Sequence, residues 1–203
     1  MICPPACRRG PSAGSPPCAK SSVVHRLFVA IRPPDDIVDR LVDIMDDSPE
    51  LRWVAADNIH LTLRFIGEVE RPIANDIADA LRRIRADSFA LRLTGVGMFD
   101  QRNGGALWAG AEPRPPVMTL AAKVDRACQL AGIEPEHRAF HPHITIARYR
   151  RQERSLAQDF LERSRGFLTR DFTVDRFILF ESRLSRHGAH YEEVASYPLA
   201  AKE

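Results

Sequence analysis

The chain has 203 residues, enough for one domain with a sizeable interior, and its 44% apolar and 28% charged residues are ordinary for a soluble globular protein. A net charge of +2 is too small for a general nucleic-acid coat, and no apolar run approaches the ~20 residues of a membrane-spanning helix. Three cysteines, Cys3, Cys7 and Cys18, lie near the N-terminus and only Cys128 lies in the body, which makes neither a disulfide framework nor a paired zinc motif and fits a reducing cytoplasm.

Residues 1–22 hold five prolines and two glycines but no acidic residue, and read as a disordered tail without the apolar core of a secretory signal. Residues 23–203 then read as a single domain of two similar lobes. His25 to Ile31 is expected to be a buried strand ended by Pro33-Pro34, and Pro34-Asp35-Asp36 opens a helix with Ile37, Leu41, Ile44 and Met45 on one face. Leu51 to Val54 reads as a short strand, Asn58 to Gly67 as another that Gly67 closes, and Pro72 to Arg85 as an amphipathic helix. Phe89 to Val96 and Ala106 to Gly110 are strands joined across Asn103-Gly104-Gly105. Pro115 to Ala131 is a helix stopped by Gly132. Pro142 confines the next strand to its start or to a sheet edge. A helix over Glu153 to Arg165 follows, then a final strand pair, Phe172 to Glu181 and Tyr191 to Leu199. Helices alternate with strands, yet short links suit antiparallel neighbours. The expected fold class is α+β, a duplicated two-lobed architecture whose two mainly antiparallel sheets form a central cleft with helices on the outer faces.

One pattern occurs twice. Asn58-Ile-His60-Leu-Thr62-Leu-Arg-Phe-Ile-Gly67 and Phe140-His-Pro-His143-Ile-Thr145-Ile-Ala-Arg148 both contain His-x-Thr-x, with the histidines 83 residues apart. Alternation with period two sends Ile59, Leu61 and Leu63, or Ile144 and Ile146, to the core, and the His and Thr to the other face, ~6.6 Å apart along the strand. A single such motif is ordinary strand chemistry, because Thr favours strands and an exposed histidine needs no special role. Two copies in matching contexts, each followed by an arginine (Arg64 or Arg148), would offer one cleft two imidazoles and two hydroxyls. Imidazole titrates near neutral pH and serves as acid or base. The residues alone do not say which ring is acid and which is base. Arg138, Arg148, Arg150, Arg151 and Arg154 surround the second motif, either as a solvated charge run or as a rim that attracts phosphate.

These motifs resemble the 2H phosphoesterase superfamily. The wording of Arg26 to Ile31, Trp53-Val54, Asn58 to Glu68, Pro142 to Arg148 and Glu181 to Tyr191 is similar to the RNA 2′,3′-cyclic phosphodiesterases, also called LigT-like or 2′-5′ RNA ligases. The resemblance covers about Arg26 to Leu199. It implies hydrolysis of RNA ends bearing a 2′,3′-cyclic phosphate to 2′-phosphomonoesters, with no cofactor or metal. It further implies that His60 protonates the leaving 3′-oxygen, that His143 takes a proton from water, and that Thr62 and Thr145 hold the phosphate oxygens. Arg148 matches a phosphate-touching arginine of the family. Strand parity sends Arg148 to the core face, so this role requires the strand to bend near Ala147. The expected partner is an RNA or oligonucleotide end, and a cytoplasmic monomer is the expected state.

Three rival readings share these residues. Ligation through a 2′-5′ linkage is the reverse reaction on the same site. A metal-dependent hydrolase would use His60, His141 and His143, but no carboxylate stands at ligand spacing. A non-catalytic nucleotide- or RNA-binding module would keep the cleft without needing two histidines. No P-loop, nucleophile elbow or dinucleotide fingerprint is present.

Overall fold

In the computed structural model, residues 24–45, 48–185 and 188–201 are described, with side chains 184–188 left aside; the tail over residues 1–22 lies outside them. Among the described residues the chain forms β1 (Val24–Ile31), α1 (Asp35–Val42), β2 (Arg52–Trp53), β3 (Leu61–Glu70), α2 (Arg71–Arg82), β4 (Phe89–Gln101) and β5 (Gly104–Glu112). After these come α3 (Arg114–Leu130), β6 (His143–Arg150), α4 (Arg154–Arg163), β7 (Phe172–Val174), β8 (Arg176–Ser185) and β9 (Gly188–Pro198). The α+β architecture is thus the expected one.

The strands run in the hydrogen-bonded order β7-β4-β5-β6-β3-β1-β8-β9, with β2 on β6. Every ladder between them is antiparallel. The path has a narrow waist: β3 and β6 meet through the single pair Leu61↔Ile144. On one side lies the arm β7-β4-β5-β6, on the other β3-β1-β8-β9. Two sheets that nearly separate at one residue pair open a cleft there, and the residues flanking that pair are the two His-x-Thr motifs.

Burial follows the alternation. Ile59, Leu61, Leu63, Ile144 and Ile146 enter one continuous core that takes residues from both arms and from all four helices. A smaller cluster, Phe28, Ala30, Ile178 and Phe180 with Tyr191 against it, lies on the opposite face of β1 and β8. Strand β1 therefore reads as an uninterrupted apolar run because both of its faces are covered.

Several boundaries move. Gly67 does not close its strand: β3 runs on to Glu70, and Gly67 sits at φ +90° beside an offset in the β1–β3 register, where Leu27↔Gly67 gives way to Phe28↔Phe65. A bulge uses the left-handed conformation that only glycine adopts without strain, so the same residue type read as a stop serves as a kink. The run Phe172 to Glu181 is two strands that break at Asp175, since β7 pairs with β4 in one arm and β8 with β1 in the other. Helix α1 ends at Val42 rather than reaching Met45, and β4 continues to Gln101. Gly132 does follow α3, at φ +89°.

Candidate active site

The histidines stand one residue before the waist pair, and the threonines one residue after it. Continuing the Leu61↔Ile144 register by one step in each direction sets His60 against Thr145 and Thr62 against His143. His60, Thr62, His143, Thr145 and Arg148 all line one cavity of about 270 Å³. Arg26, Phe28, Asn58, Phe65, Ser182 and Tyr191 complete much of its wall.

The two imidazoles are held alike. Nδ1 of His60 lies 2.7 Å from the carbonyl oxygen of Asn58, and Nδ1 of His143 lies 2.6 Å from that of His141. A carbonyl only accepts, so each Nδ1 carries the hydrogen and each Nε2 is the atom left for chemistry. Asn58 is itself tied down, its Nδ2 donating to the Ala189 carbonyl at 2.8 Å. Aromatic rings fix the imidazole planes. His60 lies against Phe28 (4.9 Å between centroids) and edge-on to Tyr191 (5.2 Å). His143 lies edge-on to Phe99 (4.9 Å), with Trp108 at 6.3 Å. Trp108 has room for its ring because its cross-strand partner is Gly97, where a Cβ would come within 2.2 Å of it.

This apolar packing lowers both pKa values. Burial is the main cause for His60, and the neighbouring His143 charge lowers it further, against the raising effect of the Asn58 carbonyl. Burial likewise leads for His143, opposed by the His141 carbonyl and assisted by the His141 charge.

Arg148 reaches the cavity because β6 bends near Ala147. The β5–β6 register passes from Trp108↔Thr145 to Leu107↔Ala147, leaving Ile146 as an extra residue. Ile146 and Ala147 are both buried in succession, and Arg148 emerges on the face of His143 and Thr145.

Known proteins are similar to this chain along most of its length. A family model described as the 2′-5′ RNA ligase superfamily matches residues 33–186. A protein of Aeropyrum pernix named RNA 2′,3′-cyclic phosphodiesterase is 32% identical over 145 residues, 70% of this chain and 82% of that relative. One of the same name from Escherichia coli is 30% identical over 179 residues, 86% of this chain and 97% of its own length.

The chain belongs to the 2′-5′ RNA ligase superfamily.

Its fold says the same: the apo structure of E. coli LigT superposes with a TM-score of 0.70 at 28% identity, covering 89% of this chain and 99% of that one.

In this member of the 2′-5′ RNA ligase superfamily the two motif arginines are not equivalent. Arg64 follows its histidine by four residues and Arg148 by five, and the residue matching Arg148 in the first motif is Phe65. Phe65 is 44% exposed and lines the cavity, with the Arg26 guanidinium 5.2 Å over its ring. Arg64, only 7% exposed, points the other way. Its Nε stands 3.1 Å from Asp125 and its Nη1 3.2 Å from Glu136, and Nη2 donates to the Glu134 carbonyl. The Nε–Asp125 contact is a charge contact without hydrogen-bond alignment. Of the arginines around the second motif, Arg138 pairs with Glu136 at 3.1 Å and Arg154 with Asp100 at 2.8 Å, while Arg148 and Arg150 have no ion pair among the described residues.

His141 does not line the cavity; it contributes its carbonyl, and its ring packs against Trp108 at 5.0 Å. Among the described residues no three His, Cys, Asp or Glu side chains gather in a metal-binding group. Burial raises the Cys128 thiol to about 11, so it has no nucleophilic part near neutral pH. No helix among the described residues is long and apolar enough to cross a membrane. The sequence missed Arg26, Phe28, Phe65 and Tyr191 as wall residues. Alternation does put Arg26 and Phe28 on one face of β1, but only the β1–β3 and β1–β8 pairings bring that face to the motifs.

Proposed function

We propose that the cavity hydrolyses RNA 2′,3′-cyclic phosphate ends to 2′-phosphomonoesters by metal-independent acid–base catalysis with two histidines. The observation that carries this reading is the matched pair of Nδ1–H···O=C hydrogen bonds, which frees both Nε2 atoms in one cavity. A cyclic phosphate lies between the arms. Neutral His143 takes the proton of a water whose oxygen attacks phosphorus, and protonated His60 delivers its proton to the 3′-oxygen as the P–O3′ bond breaks. One proton is gained and one lost by the pair, and the product carries a 2′-phosphate and a free 3′-hydroxyl. Thr62 and Thr145 donate to the non-bridging oxygens, and Arg148 offsets their charge.

The role of His60 as acid and His143 as base is taken from the family resemblance of the two motifs, because the near-symmetry of the two rings gives no preference. The relatives named RNA 2′,3′-cyclic phosphodiesterase support the substrate class. An RNA ending in a 2′,3′-cyclic phosphate, incubated with the protein in EDTA and analysed for its end group, should yield a 2′-phosphate. Replacing either histidine by Ala should cost ~10²–10⁴ in rate, and replacing both should cost far less than the product of the two losses. Activity that vanishes in EDTA and returns with Zn²⁺ or Mn²⁺ would refute the mechanism.

A further inference from the structure

The line of cavity residues on β6 does not end at Arg148. Arg150 follows it by two residues, ~6.6 Å further along the same face, and both are exposed. Across the β2–β6 ladder Arg52 is the direct register partner of Arg148. Directly opposed residues of an antiparallel pair project to the same face, and like charges so placed repel. Arg52, Arg148 and Arg150 have no ion pair among the described residues. Arg52 and Arg150 line a shared groove of about 260 Å³ with Pro49, Glu50 and Glu153. Glu153 is already engaged, its Oε2 accepting the backbone N–H of Arg150 at 2.6 Å. Glu50 lines it too, so the groove and Arg148 together carry three cations against two carboxylates.

We infer that Arg52 and Arg150 form a track for the phosphates of the single-stranded RNA upstream of the reacting end, entered from the cavity through Arg148. Arg52 and Arg148, opposed across the ladder with no ion pair among the described residues, are a standing cost, and a polyanion lying along them and Arg150 removes it. A hydrolase of small cyclic nucleotides has no use for Arg52 and Arg150, which stand next to Arg148 but outside the cavity wall. The track rests on the reading of the cavity given above. It also locates RNA recognition in a local stripe, which a net charge of +2 does not advertise.

The test uses the double variant Arg52→Gln, Arg150→Gln, which keeps the side-chain stems and leaves the cavity intact. Hydrolysis of cytidine 2′,3′-cyclic phosphate reports on the cavity alone and should be unchanged. Binding of a fluorescent six-nucleotide single-stranded RNA with a cyclic end, followed by anisotropy in the His60→Ala background, reports on the track. Each phosphate contact to a single strand contributes about 0.7 to the slope of log K against log salt, so losing two should lower the slope by about 1.4 and weaken binding about 25-fold at 0.1 M salt relative to 1 M. An unchanged slope, or an equal loss on the mononucleotide, overturns the track. Wild-type protein that cleaves neither substrate yet shows the slope change would sink the catalytic reading and leave the track standing.

Discussion

Burial sets the resting charge of both imidazoles. His60 and His143 lie below the ordinary histidine pKa chiefly because aromatic walls desolvate them, so near neutral pH both rings are biased toward the neutral form. A reaction that needs a proton on one ring must therefore gain it when substrate arrives. An anion beside an imidazole favours the imidazolium and raises its pKa, so filling the cavity should draw a proton from solution. Sulfate, which does not itself titrate in this range, is a suitable probe. Calorimetric titration at pH 7–8 in buffers of different ionisation enthalpy should show uptake approaching one proton per site, with affinity rising as pH falls. Uptake should shrink in His60→Ala. A binding enthalpy that is the same in every buffer would show that the rings are charged already or never become so.

Strands and loops are positioned by a second use of the first motif. Arg64 leaves β3 on the core side and grips Asp125 of α3 together with Glu136 and the Glu134 carbonyl, in the loop that leads to the second motif. That loop ends in His141, whose carbonyl holds His143. Arg64 is thus a positioning residue: the strand that begins next to His60 fixes the approach to His143. Arg64→Met would take the cation from Asp125, leave Glu136 to Arg138 alone and strip the Glu134 carbonyl of its donor, and should cost roughly 2–4 kcal/mol. It should also lower kcat more than it raises KM, and a variant of normal stability and kcat would remove the link. The sequence showed this arginine and Arg148 as twins because it displays spacing but not bulges. The His-x-Thr periodicity was legible because period-two burial is a local rule. The extra Ile146 that turns Arg148 outward, and the kink at Gly67, depend on pairing with β5 and β1, which no local pattern encodes. The walls from β1 and β9 were hidden for the same reason: Phe28 and Tyr191 lie 32 and 131 residues from His60 and meet it only in the folded sheet.

The whole molecule joins two arms through one backbone pair but through one shared core, and this predicts how acid should unfold it. Core residues of both arms pack in a single cluster, so the arms should melt in one transition even though their ladders barely touch. Titration then acts on that one transition. The folded pKa values of His60, His143 and His141 lie below the unfolded value of 6.5. The unfolded chain therefore binds more protons in that window, and stability present above pH 6.5 is lost as pH falls through the folded pKa values. A second loss follows at lower pH. Glu136 is held down to about 2, first by its hydrogen bonds from Arg138, so its contribution is full above the unfolded value of 4.5 and disappears as pH falls toward 2. Urea midpoints measured from pH 8 to pH 3 should thus decline in two steps with one unfolding transition at every pH. The double variant His60→Ala, His143→Ala should flatten most of the upper step, leaving what His141 supplies, and should leave the lower one in place. A midpoint level between pH 7 and 5 in the native sequence would mean that neither ring is desolvated, and two separate transitions would mean that the arms do not share their core.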